Sequence, residues 1–304
     1  VFAVVPFADV ARPAIGVSLL KAELGGVCSA TVQYLNLDFA ATIGSRMYDH
    51  FCHQVSSETM AGERFFAHVL FPGELPPPHE FAAEILAPVT APDVIAEIDA
   101  ARAAREEFLQ RATERIAALN PHIVGFTTTF HQTCACLAIA KRLKQRSERP
   151  LIVFGGANCE GEMGLQLLES FPWIDYVCTR EGDVVFPEFV RRVMKGEDGP
   201  LPGLLKQGQS RELTHPAIVE TLDALPVPDY HDYFEQLAKS PIASEIAPRL
   251  VIETARGCWW GAKHHCTFCG LNGDTMSFRA KSPARVVDEL LYLGAEYGVA
   301  RIDS

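Results

Sequence analysis

Three thiols crowd one short stretch near the end of the chain, Cys258-Trp259-Trp260-Gly261-Ala262-Lys263-His264-His265-Cys266-Thr267-Phe268-Cys269. Thiolates this close can share one metal centre, and soft sulfur donors select zinc or an iron–sulfur cluster. A structural zinc site needs a fourth protein ligand, for which His264 or His265 is at hand. A 4Fe–4S cluster held by Cys258, Cys266 and Cys269 instead leaves one iron open to a substrate. The remaining cysteines, Cys28, Cys52, Cys134, Cys136, Cys159 and Cys178, follow no regular spacing. An odd total of 9 without secretory signals favours reduced thiols and a cytoplasmic protein over a disulfide framework. Cys134 and Cys136 fall two apart on a predicted helix, where side chains diverge, and read as helix residues rather than a metal pair.

A second set of residues gathers where predicted strands end. Apolar runs at 1–8, 29–37, 122–128, 151–154 and 174–179 alternate with helical patterns at 15–24, 93–119, 132–146, 160–169 and 184–195. Residues 40–91 read as irregular. Continuously apolar strands alternating with helices predict an α/β fold with a parallel sheet covered on both faces. Such sheets bind ligands beyond the carboxyl ends of their strands. Thr127, Thr128 and Gln132 lie at the end of one strand, Gly155, Gly156 and Asn158 at the end of the next, and Glu181 after the third. Glycine there lets a backbone approach a ligand closely, although it also serves as a plain turn residue. No Gly-x-Gly-x-x-Gly follows any strand, so a nicotinamide dinucleotide is a poor occupant.

The domain reading is a Rossmann-like sheet over 1–196, a proline-rich connecting segment over 197–247, and a new βα unit from 248 to 304. With 48% hydrophobic residues among 304, the chain can bury a core and is not disordered. A net charge of −11 offers no basic face for nucleic acid or anionic membranes. No apolar run reaches membrane-spanning length. The start, Val1 with no basic stretch behind it, reads as a strand in a chain that begins late rather than as a signal peptide.

Glu253-Thr254-Ala255-Arg256-Gly257-Cys258 and the aromatic Phe268 before Cys269 resemble the radical S-adenosylmethionine (SAM) enzymes. That superfamily spaces its cysteines three and two apart, whereas the first gap here is longer. The longer loop, with Cys266-Thr267-Phe268-Cys269-Gly270-Leu271-Asn272-Gly273, is similar to the cobalamin-dependent radical SAM C-methyltransferases of ribosomal-peptide (RiPP) maturation. Ile123-Val124-Gly125-Phe126-Thr127, Val153-Phe154-Gly155-Gly156-Ala157-Asn158 and Ile174-Asp175-Tyr176-Val177 with Glu181-Gly182 are similar to the B12-binding domain of that family.

The resemblance implies three cofactors: a 4Fe–4S cluster on Cys258, Cys266 and Cys269, cobalamin, and S-adenosyl-L-methionine. It implies a cobalamin pocket built from Thr127, Thr128, Gln132, Gly155, Gly156, Asn158 and Glu181. The implied activity is methylation of an unactivated carbon of a ribosomally made peptide, through methylcobalamin and a 5′-deoxyadenosyl radical. The partners would be a precursor peptide and an electron donor such as flavodoxin or ferredoxin. A cobalamin-dependent radical SAM enzyme acting on a tetrapyrrole, lipid or small metabolite is the alternative, as is a non-catalytic cobalamin sensor with a zinc loop. Asp-x-His-x-x-Gly is missing; Asp229-Tyr230-His231 lacks its glycine, so no histidine from the protein is expected below cobalt, while His131 sits at a strand end. The unit after 248 would open a TIM-type barrel, and only one βα repeat of it falls within the sequence. The chain is therefore expected to be part of a larger enzyme and inactive alone.

Overall fold

A computed structural model describes residues 1–75, 80, 101–197, 199, 201–209, 218–264 and 277–304. Six strands form one sheet: β1 (Phe2–Val4), β2 (Val32–Tyr34), β3 (Ile123–Thr127), β4 (Leu151–Gly155), β5 (Tyr176–Cys178) and β6 (Leu204–Lys206). Their order is β2-β1-β3-β4-β5-β6, parallel except for β6, which runs antiparallel at the edge. The interior of β3 and β4 is buried on both sides, which is why these strands read as unbroken apolar runs.

Right-handed crossovers decide which helix covers which face. From β1 the chain passes through α1 (Ile15–Glu23) to β2 on one side, then returns past β1 to β3. The direction reverses there, so α1 covers one face. The helices between β2 and β3, α2 (Leu35–Ile43), α3 (Ser45–Asp49), α4 (Ala61–Leu70) and α5 (Arg105–Ala117), take the other. The two connections onward, α6 (Thr133–Lys144) and α7 (Glu162–Ser170), move in the same sense and join that second face. α8 (Gly182–Met194) lies against α1 on the first face. The second face is filled by Phe7, Phe39, Phe51, Phe65, Phe66 and Phe108, all buried, with Phe39 and Phe108 ring centroids 4.7 Å apart.

Three stretches differ from the sequence expectation. The second strand ends at Tyr34, and α2 begins at once with Leu35. Residues 40–91, expected as irregular, supply α3 and α4 and the end of α2. Helix α2 buries Leu35, Asn36, Leu37, Phe39 and Ala40 around most of its girth, which erases the one-sided pattern that marks a surface helix. Of the long helix expected over 93–119, α5 is the described portion; 81–100 lie outside the described residues.

The third is 197–247, expected as a connecting segment. It provides β6 at one edge and α9 (His231–Lys239) at the other. α9 finishes the open edge of β2 with side chains. Asp232 accepts from the Val32 amide at 2.6 Å, and Gln236 accepts from the Tyr34 amide and donates to the Val32 carbonyl, both at 2.8 Å. A parallel edge that would otherwise offer bare donors and acceptors is thereby paired.

Beyond it, β7 (Leu250–Val251) pairs in parallel with β10 (Ile302–Asp303), joined through α11 (Pro283–Tyr297). Ser282 caps α11 by accepting from the Arg285 amide, Pro283 occupies its first turn, and Gly298 ends it in the left-handed region. A small core of Tyr230, Leu250, Ile252 and Leu293 fills this βα unit. Between its strands, β8 (Ala255–Arg256) and β9 (Arg279–Ala280) pair antiparallel and form the stem of the cysteine loop.

Candidate functional site: a cleft at the strand ends and the stem of the cysteine loop

Among the described residues α1 and α8 cover the first face, and a cleft of about 220 Å³ opens between them above β3 and β4. Its floor is apolar: Phe2, Leu19, Leu20, Phe126, Val153 and Phe154. Its mouth is polar, where Thr127, Arg180, Asp183, Glu253 and Arg256 meet. Gly155 and Gly156 stand at the C-terminal end of β4 and complete the wall.

Of the seven residues singled out for a cofactor pocket, Thr127, Gly155 and Gly156 line this cleft. The other four hold the surrounding loops. Thr128 is fully buried and donates to the Gly155 carbonyl at 3.0 Å, with Cys159 Sγ 3.3 Å away. Gln132 accepts from the Thr129 amide at 3.0 Å and closes a capping box at the turn before α6. Asn158 donates to the Phe130 carbonyl and to Thr133 Oγ1, both at 2.9 Å, tying the loops after β3 and β4 together. Glu181 faces the second unit, where two arginines hold it.

Gly156 owes its identity to the turn. Its φ is +97°, and a Cβ there would come within 2.5 Å of the Thr128 carbonyl oxygen. Close approach to a ligand is not needed to explain it. Gly155 is less constrained: a Cβ on it would meet Cys178 Cβ at 3.6 Å, an ordinary contact.

His131 turns away from solvent and accepts from the Gly62 amide at 3.3 Å through Nδ1. A Cβ on Gly62 would strike its ring, so α4 approaches closely only because that residue is glycine. One position along, Glu63 accepts from the Thr133 and Cys134 amides at 2.8 and 2.6 Å and caps α6. Cys134 and Cys136 lie on α6 as expected, and burial raises both thiols. Cys178, on the cleft wall, is pushed up to about 11 by burial, against the opposing effect of its hydrogen bond to Arg180. These thiols stay protonated and inert at neutral pH.

The mouth of the cleft is where the two units meet. Arg256, on the strand that leads into Cys258, donates to Asp183 through Nη1 at 2.7 Å and Nη2 at 3.1 Å. It reaches Glu181 through Nη1 at 3.1 Å, and Glu253 through Nε at 2.7 Å and Nη2 at 3.0 Å. All five of its N–H groups are thus engaged by carboxylates in a fixed fork. Arg279, across the stem on β9, donates to Glu181 and to the Val219 carbonyl. Partial burial pushes Glu181 up, but hydrogen bonds from Arg279 and the charges of both arginines prevail and hold it below the usual range.

Next to Arg256, Gly257 has φ +81°, and a Cβ on it would lie 2.2 Å from the Ser277 carbonyl oxygen. The backbone entering the cysteine loop is therefore pressed against the backbone leaving it. Cys258 follows at the start of α10 (Trp259–His264), half-buried and free, with the Gly261 amide donating to Sγ at 3.4 Å. That donor and the chemistry of a thiolate suit a soft metal. His264 lies against Trp260 in a tilted contact with ring centroids 3.9 Å apart. Cys266 and Cys269 lie outside the described residues, and among the described residues no group of three metal-ligating side chains forms.

Asp183, Glu253 and Arg256 lie in stretches that the sequence singles out, without a role of their own. The last two stood inside the motif before Cys258, and Asp183 beside Glu181-Gly182, but nothing in their spacing announces that they bond across more than 70 positions.

No protein-family model matches this chain. Its sequence is similar to an uncharacterized methyltransferase of Pyrococcus horikoshii, 29% identical over 197 residues, covering 62% of this chain and 40% of the relative. The chain thus spans about two fifths of that relative's length. Among solved structures it is similar to the cobalamin-dependent S-adenosylmethionine radical enzyme OxsB with aqua-cobalamin bound. The TM-score there is 0.50 at 20% identity, over 63% of this chain and 26% of that one. A second OxsB structure, with aqua-cobalamin and S-adenosylmethionine, gives a TM-score of 0.48 at 21% identity over the same shares. This chain is, in sequence, a homologue of a protein named as a methyltransferase, and in architecture it has an α/β, mostly parallel fold similar to part of the OxsB structure.

Proposed function

We propose that this chain is the cofactor-binding part of a cobalamin-dependent radical SAM C-methyltransferase that acts on an unactivated carbon of a ribosomally made peptide. One observation carries the reading: the segment that delivers the first cysteine of a three-thiol loop also forms the mouth of a cleft at the strand ends of a parallel sheet. When bound, a 4Fe–4S cluster with S-adenosylmethionine would supply a 5′-deoxyadenosyl radical and cobalamin a transferable methyl group. The chain's part is placement and exclusion. The apolar floor of Phe126, Phe154 and Leu20 suits the flat base of cobalamin's nucleotide tail, and about 220 Å³ holds that tail rather than the macrocycle. Thr127 and Arg180 at the mouth offer polar contacts to its sugar and phosphate. Cys258 would hold one iron, with Cys266 and Cys269 as its companions. A cluster of this kind calls for an electron donor such as flavodoxin or ferredoxin, and the free thiols fit a reducing cytoplasm.

Anaerobic reconstitution of the full-length protein with iron, sulfide and hydroxocobalamin tests the cofactor assignment. Iron–sulfur absorption together with retained cobalamin after gel filtration is expected. A colourless protein containing zinc would refute it. Incubation with S-adenosylmethionine, a reductant and a candidate precursor peptide should add the mass of one methylene to the peptide. Methylation of a small metabolite in place of any peptide would overturn the substrate class and leave the cofactors standing.

A further inference from the structure

The two motifs that lie farthest apart in role, the acidic turn after β5 and the approach to the cysteine loop, are bonded to each other. Glu181 and Asp183 open α8, which walls the cleft, and Arg256 belongs to the cysteine-loop stem. Arg256 is well shielded, with 15% of its side chain exposed, against 9% for Asp183. Its fork takes Asp183 with both Nη atoms, Glu181 with Nη1 and Glu253 with Nε, so it cannot rotate without breaking three ion pairs. Arg279 donates to both oxygens of Glu181 from the opposite strand of the same stem, sharing Oε2 with Arg256. Gly257, with no room for a Cβ beside Ser277, passes this placement on to Cys258 without slack.

We propose that Arg256 is a positioning residue: anchored on Asp183 and Glu181, it fixes the backbone that leads into Cys258 at the mouth of the strand-end cleft. This rests on the functional reading above and adds to it the element that sets the spacing of the two cofactors. The requirement is geometric. A reaction that uses groups held on two separate units needs those units held to within a fraction of an ångström, and loops do this poorly unless tied to rigid elements. Here a helix start and a β-stem are tied by a bidentate pair.

The test uses the full-length protein loaded anaerobically with iron, sulfide and saturating hydroxocobalamin, then reduced. Neighbouring paramagnets speed each other's spin relaxation, so microwave-power saturation of the cob(II)alamin signal reads the distance to the reduced cluster. In the wild type the cobalt signal should saturate less readily when the cluster is reduced. In Arg256→Gln and in Asp183→Asn that enhancement should be lost while iron, sulfide and cobalt contents stay at wild-type levels. Arg256→Lys, which keeps the charge but not the fork, should lose it as well. Asp183→Asn lies far from the cysteines in sequence, so it separates positioning from damage to the loop. Unchanged relaxation in Asp183→Asn with both groups bound would overturn the proposal, as would a wild type that binds both without any enhancement. A wild type that takes up neither group would instead refute the functional reading, and the inference with it.

Discussion

The sheet unit and its joint to the cysteine-bearing unit are held together by different physics. Six phenylalanines on the second face of the sheet pack on one another through edge, tilted and stacked ring contacts. The joint is the reverse: Glu181, Asp183, Glu253, Arg256 and Arg279 on one side, and His231 between Asp229 and Glu296 on the other. Apolar packing is close to indifferent to pH and to moderate salt. A joint of charges has an operating window, set by when each partner carries its charge. The lesson is that pH and salt act on these ion pairs and leave the packing of the sheet core alone.

The largest effect should come from the core. Phe39→Ala or Phe66→Ala is expected to cost about 3–5 kcal/mol of sheet-unit stability, as large-to-small changes at filled aromatic sites do. Chemical denaturation should show this equally at low and high salt. A strong salt dependence would blur the contrast between core and joint.

Gly156→Ala comes next. A left-handed residue placed 2.5 Å from a backbone oxygen should cost about 1–3 kcal/mol, read as a lower melting temperature. An unchanged melt would mean that the turn after β4 relaxes freely.

Glu181→Gln should weaken the joint by about 1–2 kcal/mol at neutral pH, less than a fully buried pair would give, because this carboxylate is partly exposed. Its folded-state pKa is below that of an unfolded glutamate. The contribution is therefore present above the ordinary glutamate range and is lost as pH falls through the lowered value. Fluorescence of Trp259 and Trp260, half-exposed beside the stem, gives the readout during an acid titration. Wild-type acid sensitivity in Glu181→Gln would show that another group is responsible.

The smallest effect belongs to His231. Hydrogen bonding to Asp229, then to Glu296, raises its pKa despite some desolvation. Its stabilisation is full below the ordinary histidine value and fades as pH rises through the raised one, the opposite sense to Glu181. With 60% of its side chain exposed, His231→Ala should cost well under about 1 kcal/mol. Hydrogen exchange of α11 above and below neutrality would detect it; identical exchange in wild type and variant at acid pH would exclude the contact.

Much of this architecture was legible from residue order alone. The alternation of apolar runs and helices announced the parallel sheet, and the unit after 248 contains the βα repeat that the sequence suggests, with α11 between its strands. Local signals failed where burial is all-round, as in α2, and where an element exists only through its partner, as with β6 on β5. The candidate pocket divides along the same line. Thr127, Gly155 and Gly156 follow from the rule that ligands sit at strand ends. Asn158 and Gln132 bond to the neighbouring loops, and a side chain's hydrogen-bond partner is not encoded in the residues beside it. Arg256 and Asp183 meet only after the fold has closed.

The side-chain finish on β2 has a consequence in time. Asp232 and Gln236 reach that strand from 200 or more positions downstream. During synthesis the N-terminal strands leave the ribosome long before the residues that close their edge. Until α9 emerges, the nascent sheet carries an unpaired border, the kind that recruits other chains. Translation pauses between 40 and 230 should therefore be where this protein most needs a chaperone.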